Sequence, residues 1–306
     1  MSWIRSRAER LAYRNYRRIK SMYLEHPRAP LGKTFFRLLE GTNKQLSAQK
    51  VDRLGELQSS LWKMLYFSKY GDGRPFGLET RTPVAAYSDD TKWPRGAIYD
   101  NSTNRDFNLK VYDYFRRKPG LSLLDLGCAG GGLVKSFLAD GYSAVGLEGS
   151  DAAQRLRSGE WDTIPYHLFP CDITEPFQVR DAGGKPARFD VVTAWEVLEH
   201  IPEGRLPGLI ANIRKHLHDG GIFVGSVALF PEGDGSRNLV YHVTLKPKPW
   251  WLRWWAEQGF AEVDPHPFEV RDFVRGHGRG IKDWDPRDGD GFHLVLGLDS
   301  RDDNSR

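Results

Sequence analysis

The chain predicts an α/β fold on a doubly wound, mostly parallel sheet, from three observations: apolar runs that repeatedly end in a carboxylate, helical stretches between those runs, and a tight glycine loop directly after the first. Leu121 to Leu126 reads as a short buried strand. It carries Asp125 and passes into Gly127-Cys128-Ala129-Gly130-Gly131-Gly132, and Gly131 to Ala139 then opens a helix. Small residues let a backbone, and the N–H groups of a helix start, come close to a ligand. A structural turn accounts for the glycines as well. The second run, Ser143 to Glu148, ends in a carboxylate about 20 residues beyond the loop, where nucleotide-binding sheets place the acid that accepts both ribose hydroxyls. A third run, Tyr166 to Asp172, ends in an acid, and a fourth, Phe189 to Trp195, leads into Glu196-Val197-Leu198-Glu199-His200-Ile201-Pro202. Leu206 to Leu217 then reads as a helix, Gly220 to Val227 as a fifth strand, and Phe260 to Phe268 with Phe292 to Leu298 as the last two.

The flanking segments are of other kinds. Residues 1–115 read as a helical N-terminal extension, 116–299 as the sheet-bearing domain and 300–306 as a disordered tail. Leu54, Leu57, Leu61 and Leu65 carry helical spacing within Leu46 to Tyr70, and Gly71 to Pro75 ends it. Trp93 to Asn101 mixes aromatic, amide and hydroxyl groups, which suits a polar acceptor as well as an ordinary surface loop. Trp250, Trp251, Trp254 and Trp255 fall on one broad face of a helix over Pro249 to Gln258. Core packing accounts for two of them, and any left open at the strand edge could stack on a sugar or a flat aromatic ring. Arg271 to Asp290 is a glycine-rich charged insertion with Arg275, His277 and Arg279 close together, read as a solvated hairpin or an anion-binding loop.

Composition narrows the class. The 306 residues are enough for a full core, and the two cysteines, Cys128 and Cys171, form neither a disulfide framework nor a zinc motif, which points to a reducing cytoplasm. No apolar run reaches the length of about 20 residues that spans a bilayer. The net charge of +4 is concentrated at the start, where Arg5, Arg7, Arg10, Arg14, Arg17, Arg18 and Lys20 face one acid, Glu9. With Ile4, Ala8, Leu11, Tyr16 and Ile19 on the opposite side, this is a basic amphipathic helix, fit for an anionic membrane surface or simply for a solvated face. Nucleic acid is the weaker partner because no RNA-binding module is recognisable.

From Leu121 to Leu298 these ordered motifs resemble the class I S-adenosylmethionine-dependent methyltransferases, in particular the branch whose fourth strand reads like Phe189 to Pro202. The resemblance implies a Rossmann-like, seven-stranded sheet with an antiparallel last strand. It also implies S-adenosylmethionine as cofactor and a lid formed by residues 85–115. Carried over, it places Asp125, Gly127 and Gly131 around the methionine and ribose, Glu148 on the ribose diol, Asp172 and Ile173 at the adenine, and Trp195 with Glu196 beside the sulfonium. Ala129 stands where the pattern often has glycine, and its small side chain leaves binding intact. Asp125 just before the glycines also disfavours a dinucleotide, whose pyrophosphate would meet like charge there.

Methyl transfer to a hydroxyl needs a group that takes the proton. Glu196, Glu199 and His200 fall at i, i+3 and i+4, which on a helix would share one face, and His242 follows the fifth strand on the same edge. The Glu-x-x-Glu-His pattern resembles both the metal motif of small-RNA 2′-hydroxyl methyltransferases and the quinone and sugar O-methyltransferase branch. The first implies Mg²⁺ or Mn²⁺ held by Glu196, Glu199, His200 and His242; the second implies His200 or His242 as base, with Glu196 beside it. The tryptophan face, the Trp93 to Asn101 loop and the basic helix favour a saccharide or glycoconjugate hydroxyl as acceptor. A small phenol or quinone-type hydroxyl comes next, and RNA after it.

Overall fold

The computed structural model describes residues 48–71, 73–274 and 290–299. The basic helix, Arg275, His277 and Arg279 of the charged insertion, and the tail from Ser300 lie outside the described residues. The chain divides into two compact units, Met1–Asp72 and Gly73–Arg306. In the first, α1 (Ala48–Tyr70) is the helix that the leucine spacing predicts. Residues 73–115, read from sequence with the N-terminal extension, belong to the second unit.

That unit begins with β1 (Phe76–Thr80), a 3₁₀ turn at Asp89–Thr91, α2 (Arg95–Tyr99) and α3 (Arg105–Tyr114). The sheet proper follows as β2 (Ser122–Leu126), α4 (Gly132–Ala139), β3 (Ser143–Glu148), α5 (Ala152–Leu156), β4 (Leu168–Pro170), β5 (Phe177–Asp181), β6 (Phe189–Trp195), α6 (Leu206–His216) and β7 (Leu217–Ala228). The small hairpin β8 (Gly233–Asp234) and β9 (Leu239–Val240), α7 (Lys248–Glu257), β10 (Phe260–Glu262) and β11 (Gly291–Leu298) complete the order.

The seven strands lie in the order β10-β11-β7-β6-β2-β3-β4. Neighbours from β7 to β4 are parallel, and β11 runs antiparallel to both its neighbours. The expected sheet is therefore formed. β2 and β6 sit at its centre with every residue buried, which is why they read as mainly apolar runs rather than alternating ones. The chain steps outward from β2 to β3 and β4 on one side, and from β6 to β7 on the other. This reversal opens a crevice above the carboxyl ends of β2 and β6, where open α/β sheets take their ligands.

Three departures matter for the site. β1 and β5 form a separate antiparallel pair outside the seven-stranded sheet; Phe177 to Asp181 alternates apolar and polar residues, but Phe76 to Thr80 does not. Residues 196–200 are not an α-helix: Glu196 has φ +54°, and only Leu198–His200 closes a 3₁₀ turn. Finally, Trp251 and Trp255 are fully buried in the core, while Trp250 and Trp254 stack on each other with ring centroids 6.2 Å apart and pack partly buried against that core.

Candidate active site

The loop after β2 is held by protein on almost every side. Gly127 and Cys128 donate their N–H groups to Leu147 O, at 2.8 and 3.0 Å. Gly130 donates to Asp100 O at 2.8 Å, and its own carbonyl accepts from Glu160 N at 2.7 Å. Ala129 sits at φ +45°, a left-handed conformation that costs an L residue about 1–2 kcal/mol. Its N–H donates to Glu148 Oε2 at 2.8 Å and its carbonyl accepts from the Trp161 indole at 2.8 Å, which offsets that cost.

The glycines answer mainly to the chain itself. A Cβ on Gly132 would lie 2.5 Å from Asn101 O, and one on Gly130 2.6 Å from Asp100 O. Gly127 and Gly131 combine positive φ with a neighbouring side chain, Val197 and Leu168 respectively. The expectation that this loop offers its N–H groups to a ligand is corrected: Asp100–Asn101 occupies that close approach, fastened further by Asn101 Nδ2 on Glu160 Oε1 at 3.1 Å.

Above the strand ends lies a cleft of about 820 Å³, part of it open to solvent. On one side it is lined by Gly127, Ala129, Glu148, Gly149, Ser150 and Ile173; on the other by Trp195, Glu196, Val197, His200 and Ile201. The segment from Ala85 to Asp100 covers it, contributing Tyr87, Ser88, Asp90, Thr91, Pro94 and Ala97. This segment is tied down by Ala85 N on Gly149 O (2.9 Å), by Val240 N on Asp89 Oδ2 (2.9 Å) and by the Asp100–Gly130 bond.

Of the cofactor residues read from sequence, Gly127, Ala129, Glu148, Ile173 and Trp195 meet at the cleft, and Asp125, Gly131 and Asp172 do not line it. Asp125 is buried and accepts from Thr193 Oγ1 at 2.7 Å across the β2–β6 pair. Asp172 is buried too, with Oδ1 accepting from Thr174 N (2.9 Å) and Thr174 Oγ1 (2.6 Å), so it shapes the turn after β4. Of that pair only Ile173 lines the cleft, and at the end of β3 the cleft is lined by Glu148. Ala129 N and Ser150 N (3.2 Å) donate to it, and burial nevertheless raises its pKa above the usual carboxylate value.

The residues read from sequence as catalytic fall into two places. Glu196 lines the cleft, its N–H bonded to Ser226. Glu199 turns inward instead, fully buried, with Oε1 accepting from Ala228 N at 2.8 Å, and burial pushes its pKa up to about 7 against the pull of His200. The shared helical face expected for Glu196, Glu199 and His200 therefore does not form. His200 places Nδ1 2.5 Å from Asp90 Oδ2, off the ideal hydrogen-bond line, and its ring meets His242 edge-on at 4.7 Å. Burial opposes charge on His200, but Asp90 above all, with Glu199 and Glu232, raises it to about 9. His242 has Nδ1 2.6 Å from Phe230 O and Nε2 3.2 Å from Glu232 Oε2.

For a divalent ion, the structure brings together Glu199, His200 and His242, with ligand atoms within 4.8 Å of one another. Oε2 of Glu199 is buried without a partner and suits a ligand. Glu196 does not join the group, and His242 has both ring nitrogens engaged. The four-donor set is thus not assembled, and no step is derived through a metal. The tryptophan face expected to meet an acceptor is corrected as well, since no residue of α7 lines the cleft.

A family model described as a methyltransferase domain matches residues 99–267, which span the glycine loop, Glu148 and His200. The chain belongs to the methyltransferase domain family. With the sheet and cleft above, it is a class I S-adenosylmethionine-dependent methyltransferase. The methyltransferase is 33% identical over 101 residues to a ubiquinone biosynthesis O-methyltransferase of Paraburkholderia phytofirmans, covering 31% of this chain and 40% of that protein. It is 34% identical over 107 residues to the corresponding protein of Aromatoleum aromaticum, covering 32% and 42%. The chain thus spans about 40% of the length of these relatives. Among solved structures, it is similar to the glycopeptide N-methyltransferase MtfA complexed with S-adenosyl-L-methionine, at a TM-score of 0.40 and 19% identity over 65% of this chain and 89% of that one. An S-adenosylmethionine-dependent methyltransferase from Clostridium acetobutylicum gives a TM-score of 0.44 at 11% identity, covering 65% and 93%.

The methyltransferase cleft fits its cofactor: Glu148 presents carboxylate oxygens beside Gly149 and Ser150, and Trp195 and Glu196 supply an aromatic face and a negative charge suited to a cation. Sequence reasoning missed Tyr87, Ser88 and Asp90 individually, although it placed a lid over residues 85–115. The available signal was the cap pattern Ser88-Asp89-Asp90, in which Asp90 N donates to Ser88 Oγ at 3.2 Å. Among the described residues no helix is long and apolar enough to cross a membrane.

Proposed function

We propose that this methyltransferase O-methylates a small hydroxylated molecule, with a phenol or quinol ring as the favoured acceptor, and that His200 takes the hydroxyl proton. S-adenosylmethionine, when bound, supplies an electrophilic methyl group on a positively charged sulfur. Glu148 would hold the ribose diol, Ile173 would pack the adenine, and Trp195 and Glu196 would flank the sulfonium. The hydroxyl oxygen must lose its proton as it becomes an ether, so a base within reach of the cleft is required. His200 meets that need: it lines the cleft, and Asp90 lies against Nδ1.

The observation that carries the reading is this imidazole lining the same cleft as Glu148. The acceptor class is supported by the relatives named above and by the apolar walls Ala85, Pro94, Ala97 and Ile201, which suit a flat ring better than a polyol. The saccharide first favoured from sequence loses its main ground with the tryptophans, which pack away from the cleft.

The test is methyl transfer from labelled S-adenosylmethionine to catechols and hydroquinones, compared with free saccharides. Methylation of the phenols is expected, with His200→Ala slowing it by about 10²–10⁴-fold. Preferential methylation of saccharides, or full activity in His200→Ala, would overturn the proposal.

A further inference from the structure

We propose that Asp90 is a positioning residue for His200, a carboxylate delivered by the segment that covers the cleft, which fixes the imidazole so that Nε2 faces the acceptor. The inference rests on His200 acting as the base. Nδ1 of His200 lies 2.5 Å from Asp90 Oδ2, and both residues line the same cleft although 110 positions separate them in the chain, from 90 to 200. A carboxylate on one imidazole nitrogen sets the ring orientation and leaves the other nitrogen for substrate, and it stabilises the imidazolium that forms when the proton arrives.

Asp90 itself is held from several directions. Ser88 caps the 3₁₀ turn that carries it, with Ser88 Oγ accepting from Asp90 N at 3.2 Å and lying 3.4 Å from Asp90 Oδ2. Thr91 Oγ1 donates to Ser88 O at 2.7 Å, and the neighbouring Asp89 is bound to Lys92 Nζ (2.6 Å) and Val240 N (2.9 Å). The other charged groups around the imidazole come from two elements: Glu199 from the same 3₁₀ turn, and His242 with Glu232 from the hairpin region. His242 has its own carboxylate in Glu232, and Asp90 is the acid that lies against Nδ1 of His200. The consequence is that the base is complete only when the covering segment is in place.

The test is a double-mutant cycle on the full chain, with a phenolic acceptor and S-adenosylmethionine, using Asp90→Asn, His200→Ala and both together. Asp90→Asn should lower kcat on the order of 10²-fold while the Kd for S-adenosylmethionine by calorimetry stays within about threefold of wild type. In the His200→Ala background the same substitution should have no further effect. Asp89→Asn, which loosens the same segment at its Val240 anchor, should leave kcat within about threefold. Independent, multiplicative losses in the double variant, wild-type kcat in Asp90→Asn, or equal losses in Asp89→Asn and Asp90→Asn would each overturn the assignment. Full activity of His200→Ala would instead remove the base reading beneath it.

Discussion

Substituting Glu148 tests the cofactor half of the site, and the size of the effect follows from its hydrogen bonds. Both carboxylate oxygens already face N–H donors, Oε2 from Ala129 at 2.8 Å and Oε1 from Ser150 at 3.2 Å. In Glu148→Gln one oxygen becomes an NH₂, and either amide orientation sets a donor against a backbone donor. The backbone bond is lost in free and bound enzyme alike, so Kd changes through the ribose diol, which meets one acceptor where it had two and loses a charge-assisted bond of about 1.5–3 kcal/mol. A net loss of about 3 kcal/mol corresponds to about 100-fold in Kd for S-adenosylmethionine. Isothermal calorimetry measures it directly, with circular dichroism confirming that the variant is folded. Because burial raises the pKa of Glu148 and the ribose hydroxyls donate to its ionised form, wild-type binding should also tighten as pH rises above the ordinary carboxylate range. A Glu148→Gln Kd within about threefold of wild type would refute the placement of the nucleoside.

Four further outcomes are expected. With His200 raised to about 9 and acting as base only when neutral, methyl transfer to a phenol should rise with pH and level off above about 9; a profile flat from pH 6 to 9 would contradict it. Exhaustive chelation should leave turnover unchanged, and a loss restored by Mg²⁺ or Mn²⁺ would reinstate the metal reading of Glu199, His200 and His242. Gly132→Ala would set its Cβ 2.5 Å from Asn101 O, so displacement of that segment, with about 1–3 kcal/mol lower stability, should appear as a reduced urea midpoint and weaker cofactor binding. His216, buried, accepts from Val179 N at 3.1 Å and has its pKa lowered to about 4 by burial. The unfolded chain therefore binds the proton first, so His216 should lower stability by up to about 3 kcal/mol as pH drops from 6.5 to 4, a share of the slope that His216→Gln should remove while the buried His293 keeps its own.

The fold was legible where burial is two-sided and continuous. β2, β3 and β6 are apolar runs closed by a polar residue, so both the strands and the edge they share could be read directly. β1 and β5 were not: Phe76 to Thr80 is half-buried and carries Gly77, which leaves neither alternation nor a solid apolar run, and the alternation of Phe177 to Asp181 is too short to stand out without its partner. In the site, the residues bound to strand ends were readable and the direction of their side chains was not. Asp125 and Asp172 sit where the pattern puts them, yet Thr193 and Thr174 claim their carboxylates. The i, i+3, i+4 spacing misled at Glu196, since a left-handed residue breaks the helix on which that spacing depends. The role of Asp90 was hidden for another reason: the cap pattern Ser88-Asp89-Asp90 marks a turn, but the partner of Asp90 is far away in sequence.

The covering segment has a kinetic signature of its own. Asp100 and Asn101 lie against the loop after β2 while Asp90, earlier in the same stretch, touches His200, so one piece of chain grips the donor side and the acceptor side together. Displacement of that piece would open both ends of the cleft at once. Turnover should then proceed through a ternary complex with opening shared by both products, and Asn101→Ala, which frees the segment from Glu160, should shift the Michaelis constants of methyl donor and acceptor in concert.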